Sequence, residues 1–187
     1  MTVSDASAIA ASVSDPDAFV AIFERHYAAI SRYLRRRLSR AIADELAAEV
    51  FATAFTRRAA YDVARPNALP WLYGIAANLL RSQARTEERA LQTLARTGVD
   101  TFVDAEEPSD LVLRSSLAPE LARALLDLSP ADRDVLLLFA WADLSYEDIG
   151  VALGLPVGTV RSRLNRARRT LRRRLIDSAL NKEASHG

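Results

Sequence analysis

Apolar residues recur along most of this chain at spacings of three and four, the period of helices that bury one face. Phe19, Ile22, Phe23, Tyr27, Ile30, Leu34 and Leu38 make one such face. Asp15 stands before them as a helix cap and Pro16 at the first helical position, where its missing N–H costs nothing. A second helix is expected from Asp44 to about Tyr61, with Leu46, Val50 and Ala54 inward and Phe51 and Phe55 beside them. Asp62 to Leu69 contains Pro66 and Asn67 and reads as a loop. Pro70 then opens a third helix, with Trp71, Leu72, Ile75, Ala76, Leu79 and Leu80 as its core face and Arg81, Arg85 and Arg89 toward its end.

From Leu91 the pattern fades. Gly98, Asp100, Asp104, Glu106, Glu107, Pro108 and Asp110 mark an acidic connector without enough apolar residues for a core. Periodicity returns near Pro119 with Leu121, Leu125, Leu126 and Leu128. Ser129-Pro130 caps the next helix, which carries Val135, Leu136, Leu138, Phe139 and Trp141. Ser145 and Asp148 make a capping-box-like pair ahead of Ile149 and Leu153. Gly154-Leu155-Pro156 interrupts the pattern, and a last helix runs from Val157 to about Ile176. The expected fold is all-α, with two small helical domains joined by an acidic flexible linker. The expected divisions are a disordered leader over 1–14, a first domain over 15–90, the linker over 91–118, a helix-turn-helix domain over 119–176 and a tail over 177–187.

Composition narrows the chemistry. The chain has 187 residues and no cysteine, which excludes disulfides and thiolate metal sites. No apolar run is long enough to cross a membrane, and the acidic N-terminus does not resemble a secretory signal. A cytoplasmic protein is expected. His26 and His186 are isolated, with His26 expected on a helix surface, and there is no glycine-rich phosphate loop or nucleophile motif. The expectation is a non-enzyme with no cofactor and no bound metal. The net charge of +1 hides a strong local bias, because Val157 to Ile176 holds eight arginines and no acid. Like charges at helical spacing repel, so an anionic partner is expected.

Ser145 to Arg172 supplies a specific candidate. A helix of about nine residues, a three-residue turn and a basic amphipathic helix form a helix-turn-helix, whose second helix enters the major groove of DNA. On that helix Val160, Leu164, Ala167, Leu171 and Leu175 share the inward face. Thr159, Arg161, Ser162, Asn165 and Arg166 are the expected base readers, since Arg matches guanine O6 and N7 and Asn matches adenine N6 and N7. Arg169 shares the outward face, and Arg163, Arg168, Arg172 and Arg173 are placed to grip phosphates.

The stretch Leu144–Leu171, LSYEDIGVALGLPVGTVRSRLNRARRTL, resembles the −35-binding domain of extracytoplasmic-function sigma factors of the sigma-70 family. Leu128-Ser129-Pro130, Arg133 and Val135-Leu136 resemble the start of that domain. Trp71-Leu72, Ile75-Ala76 and Asn78 are similar to the family's −10-binding helix, and Asp44-Glu45-Leu46, Glu49 and Phe51 to its polymerase-binding helix. Three positions depart from the pattern: Ala77 stands in place of a basic residue, Ser82 in place of a frequent Asp and Ala48 in place of a frequent Gln. The resemblance implies that Asp44, Glu45 and Glu49 meet the β′ clamp of core RNA polymerase. It implies that Tyr61, Tyr73, Asn78, Arg81 and Arg85 serve the −10 element, where single-strand capture needs cations, stacking faces and polar readers. Promoter DNA and core polymerase are the implied partners, and an anti-sigma factor is suggested by the same analogy.

Two other readings compete with this one. A stand-alone helix-turn-helix regulator would dimerise on a palindrome. A basic helix could also bind RNA or a membrane surface, but its narrow apolar stripe has no aromatic residue to insert. The connector is long enough for the sigma reading. Elements about 16 base pairs apart are separated by roughly 55 Å, and residues 91–118 reach at most roughly 95 Å when extended.

Overall fold

Ordered structure begins with a cap, because the Ser4 hydroxyl accepts a hydrogen bond from the Ser7 N–H and opens helix α1 (Asp5–Ser12). The structure is a computed structural model, described here over residues 3–97 and 119–184. Helix α1 overturns the expected disordered leader. Ala6, Ala8 and Ile9 are buried, and the Ser12 hydroxyl donates to the Ile9 carbonyl at 2.6 Å. The apolar residues of this segment are mostly alanine, so they make no strong stripe. Their burial depends on the surface that α2 and the loop before α4 offer.

Asp15 caps as expected, accepting from the Asp17 N–H, but the first turn it opens is a 3-10 turn (Pro16–Phe19) that leads into α2 (Val20–Arg35). Helix α3 (Arg40–Arg57) starts before Asp44, so Asp44 and Glu45 sit in its second turn. A 3-10 turn (Arg58–Ala60) and a loop lead to α4 (Leu69–Thr97), which passes the expected boundary at residue 90 without a break. Ile22, Ile30, Tyr33, Leu34, Val50, Ala54, Leu72 and Ala76 are essentially inaccessible between α2, α3 and α4. Each large member of that set stabilises the fold by about 1.5–3 kcal/mol relative to exposure.

The second domain contains α5 (Pro119–Leu126), α6 (Pro130–Trp141), α7 (Tyr146–Leu153) and α8 (Val157–Ala184). Ser129 caps α6 by accepting from the Asp132 N–H. Leu125, Leu128, Val135, Leu137, Leu138, Ile149, Val160, Leu164 and Ala167 form its interior. Helix α8 runs past the expected end at Ile176 to Ala184. Most of the acidic connector, residues 98–118, lies outside the described residues. Among the described residues no helix is long and apolar enough to cross a membrane.

Candidate nucleic-acid interface

Two local devices hold the turn between α7 and α8. Ser145 accepts from the Asp148 N–H at 3.0 Å and donates its hydroxyl to the Asp148 carboxylate at 2.8 Å. At the other end Gly154 adopts φ +64, the left-handed region. Its N–H and that of Leu155 reach back to the Val151 and Gly150 carbonyls at 3.4 and 2.9 Å, a Schellman closure that any Cβ at position 154 would strain. Helix α8 leaves this turn in a fixed direction.

The apolar seam of α8 is buried at Val160, Leu164 and Ala167 and half-buried at Leu171. It stops there. Leu175 was expected in the seam but is 38% exposed, because α8 has outrun the shorter helices beneath it. On the opposite side Arg161, Ser162, Asn165, Arg166 and Arg169 are exposed, and Thr159 and Arg163 are half-buried. Arg161 and Arg169 make no ion pair among the described residues.

Arg166 is different. Its Nε and Nη2 donate to the two carboxylate oxygens of Asp132 at 2.7 and 2.6 Å. A planar guanidinium bound through that edge has its outward pair of N–H groups fixed in direction. The Arg166 fork holds the Asp132 carboxyl below the usual range, against the opposing effect of burial. Arg174 pairs with Asp127 at 3.0 Å, and Arg168 lies 4.8 Å from the centre of the Phe139 ring. The chain itself therefore answers part of the charge on α8, through residues of neighbouring helices. The anionic partner expected for α8 is left with the remaining part of that charge. Arg166, expected among the base readers, is a side chain braced by Asp132.

In the first domain the expected residues divide. Glu45 and Glu49 are exposed on α3, while Asp44 accepts from Arg35 Nε and Nη2 at 3.0 and 2.7 Å. Asn78 is exposed on α4. Arg81 lies against Asp134 of the second domain, Nε to Oδ2 at 3.2 Å. The side chain of Arg85 lies outside the described residues. Tyr61 and Tyr73 are not stacking platforms in this structure, since they are 7% and 2% exposed. Tyr61 donates its hydroxyl to the Arg65 carbonyl at 2.7 Å and packs on Trp71. Tyr73 meets Tyr33 edge-on. Burial pushes both phenols up to about 12.

Sequence reading missed the group that shapes the loop ahead of α4. Asp5 is 5% exposed. Its carboxylate accepts from Arg25, from His26 Nε2 at 2.7 Å and from the Ala68 N–H at 2.8 Å. The Asp5 N–H donates to the Pro66 carbonyl at 3.2 Å. Burial raises the Asp5 carboxyl, but the hydrogen bonds from Ala68, Arg25 and His26 outweigh it and hold the group below its ordinary value. His26 is therefore buried, not on the surface as expected. The only sequence signal was Ser4 placed one residue before an acid.

Comparison with known proteins gives a consistent result. The family model for Sigma-70 region 2 matches residues 22–90, and that for Sigma-70 region 4 matches residues 119–171. The ECF RNA polymerase sigma factor SigW of Bacillus subtilis is 30% identical, over 87% of this chain and 91% of its own length. The RNA polymerase sigma factor CarQ of Myxococcus xanthus is 30% identical, over 83% and 88%. Among solved structures, CnrH in complex with the cytosolic domain of CnrY superposes with a TM-score of 0.65 at 26% identity, over 93% of this chain and 97% of that one. The sigma factor RpoE of Bartonella quintana, in complex with the anti-sigma factor NepR, gives 0.62 at 26% identity, over 84% and 96%.

Proposed function

Because the chain belongs to the extracytoplasmic-function sigma factors of the sigma-70 family, we propose that it binds core RNA polymerase and directs it to promoters, reading the −35 element with α8 and the −10 element with α4. The observation that carries this reading is the two-sidedness of α8, where Val160, Leu164 and Ala167 are buried and Arg161, Ser162, Asn165 and Arg169 point outward.

In this reading Arg161, Ser162 and Asn165 meet base edges near the start of the recognition helix. Thr159 and Arg163 flank them, and Arg169 grips phosphate. Arg166 adds a braced guanidinium whose outward donors meet a phosphate without first losing rotamer freedom. In the first domain Glu45 and Glu49 meet the polymerase clamp. Asp44 supports them through its pair with Arg35. Asn78, Arg81 and Arg85 serve the −10 strand, while Tyr61 and Tyr73 hold the α4 end and the loop before it in place. Promoter opening uses the binding energy of these contacts, and the chain performs no covalent chemistry. Its place of action is the cytoplasm, with the polymerase. The similar chains solved with CnrY and NepR support an anti-sigma partner here as well.

The test is in vitro transcription on genomic DNA with core polymerase, with and without this protein. New start sites sharing −35 and −10 sequences are expected. A chain that binds DNA and yields no new start sites would refute the proposal.

A further inference from the structure

Helix α4 carries one arginine of the first domain into a cavity made otherwise by the second. The crossing of α4 and α7 sets its depth. At Gly74 backbone meets backbone, and a Cβ there would overlap the Ala152 carbonyl. Two turns further along α4, Arg81 reaches the cavity wall. Arg163 of α8, Ala131 and Asp134 of α6, and Leu153 and Leu155 at the end of α7 line most of the remainder, around a space of about 450 Å³. That volume lies within the range of small-molecule sites, and an apolar floor with a few convergent polar groups is their usual composition.

The charge around this cavity is unbalanced. Asp134 is 3% exposed and shared. Arg37 donates to one of its carboxylate oxygens at 3.1 Å, and Arg81 Nε lies 3.2 Å from the other. That Nε is buried without the alignment of a hydrogen bond. Arg163 is half-buried and makes no hydrogen bond or ion pair among the described residues. Asp132, the neighbouring acid of α6, is already held through both oxygens by Arg166. Three arginines thus stand against Asp134, which leaves two positive charges unanswered.

A half-buried guanidinium without a partner has given up part of its hydration, so a cavity lined by Arg81 and Arg163 favours an anion that accepts from both. A phosphate monoester carries about −1.5 to −2 at neutral pH and offers three strong acceptor oxygens. A carboxylate brings one charge and two oxygens, which matches the excess less well. The apolar floor suits an organic body attached to that phosphate.

We infer that this cavity binds a small phosphorylated metabolite of nucleotide size, with its phosphate between Arg81 and Arg163 and its organic part on Leu153, Leu155 and Ala131. The two arginines come from different domains, so neither domain alone carries the site. The consequence for promoters rests on the sigma reading. Arg81 is assigned there to the −10 strand and Arg163 to the flank of the −35 readers, so the ligand and promoter DNA compete for the same two guanidiniums.

The probes are inorganic phosphate, adenosine 5′-monophosphate and adenosine, titrated into the full chain by calorimetry. The monophosphate is expected to bind saturably and about tenfold tighter than phosphate, because its organic part buries apolar surface. Adenosine, without the anion, is expected to bind weakest. Arg81→Ala and Arg163→Ala should each weaken the monophosphate about tenfold or more, whereas Arg169→Ala, on the same basic helix outside the cavity, should leave it within about twofold. Amide chemical shifts map the site in wild type and should centre on Ala131, Leu153 and Leu155. At matched ionic strength the monophosphate, unlike adenosine, should weaken promoter binding by the chain with core polymerase. A chain that binds no promoter with polymerase would fail the sigma reading, while the calorimetry and the shifts still decide the cavity. Shifts spread over residues 161–173, with equal losses in Arg163→Ala and Arg169→Ala, would reduce the binding to adventitious phosphate on a basic helix and overturn the site. So would the absence of saturable binding by both phosphate and the monophosphate.

Discussion

Replacing Asp5 with alanine tests whether α1 is part of the fold or an appendage. The substitution removes one carboxylate and leaves three donors facing its place. The Ala68 N–H is on a residue with no exposed surface, and His26 is 8% exposed, so two of the three are buried; Arg25 is partly in solvent. A buried donor left without an acceptor costs about 1–3 kcal/mol, which gives about 2–6 kcal/mol for Ala68 and His26 together. Much of a typical stability of 5–15 kcal/mol would then be lost. The loss should centre on the α1–loop junction, because the Asp5 N–H to Pro66 bond and the burial of Ile9 depend on the same docking.

The assays are urea denaturation of the full chain and amide exchange at Ala68, whose protection should fall by about a hundredfold or more if the local cost approaches 3 kcal/mol. The pH dependence carries a sign. The folded Asp5 carboxyl is held below its unfolded value. Its contribution is therefore present above the unfolded value, near 3.9, and is lost as pH falls through the lower folded one. Wild type should lose stability on acidification in a range where Asp5→Asn is flatter. If Asp5→Ala stays within about 0.5 kcal/mol of wild type, the usual range for featureless surface sites, and Ala68 exchange is unchanged, the carboxylate is not the clamp described here.

Three further outcomes are expected. Arg161→Ala should weaken −35 discrimination by about 1–3 kcal/mol while leaving polymerase binding intact; a gel shift with wild-type specificity would remove Arg161 from the readers. Asp132→Ala takes a negative charge away from the DNA face, so charge counting predicts tighter binding. Bracing of Arg166 predicts weaker binding instead, and no further effect of Asp132→Ala in an Arg166→Ala background, read as a double-mutant cycle of DNA affinity. Leu164→Ala should cost about 2–5 kcal/mol, because Leu164 is 1% exposed in the seam; Leu175→Ala, on the same helix beyond the seam, should cost under about 1 kcal/mol in the same melt.

Local rules carried the reading a long way. The helical period, the caps at Asp15, Ser129 and Ser145, and the break at Gly154 act within a few residues of themselves, so they specify helices wherever those helices later pack. The amphipathic split of α8 was legible for the same reason, at least through Leu171. Sequence alone therefore determined an all-helical chain ending in a helix-turn-helix, and it carried the family resemblance.

Tertiary structure decided whatever depends on the element lying opposite. Asp5 and His26 look like solvated residues until α1 settles on α2 and the loop at Pro66. Tyr61 and Tyr73 have the chemistry of stacking platforms but are covered by their neighbours. Arg166 carries the same periodic label as Arg161, yet only Arg166 finds Asp132 across from it. The extent of the seam, the bracing of one arginine and the contact between domains follow from long-range packing. Packing brings together residues as distant in the chain as Arg37 and Asp134, and no short-range periodicity encodes such pairs.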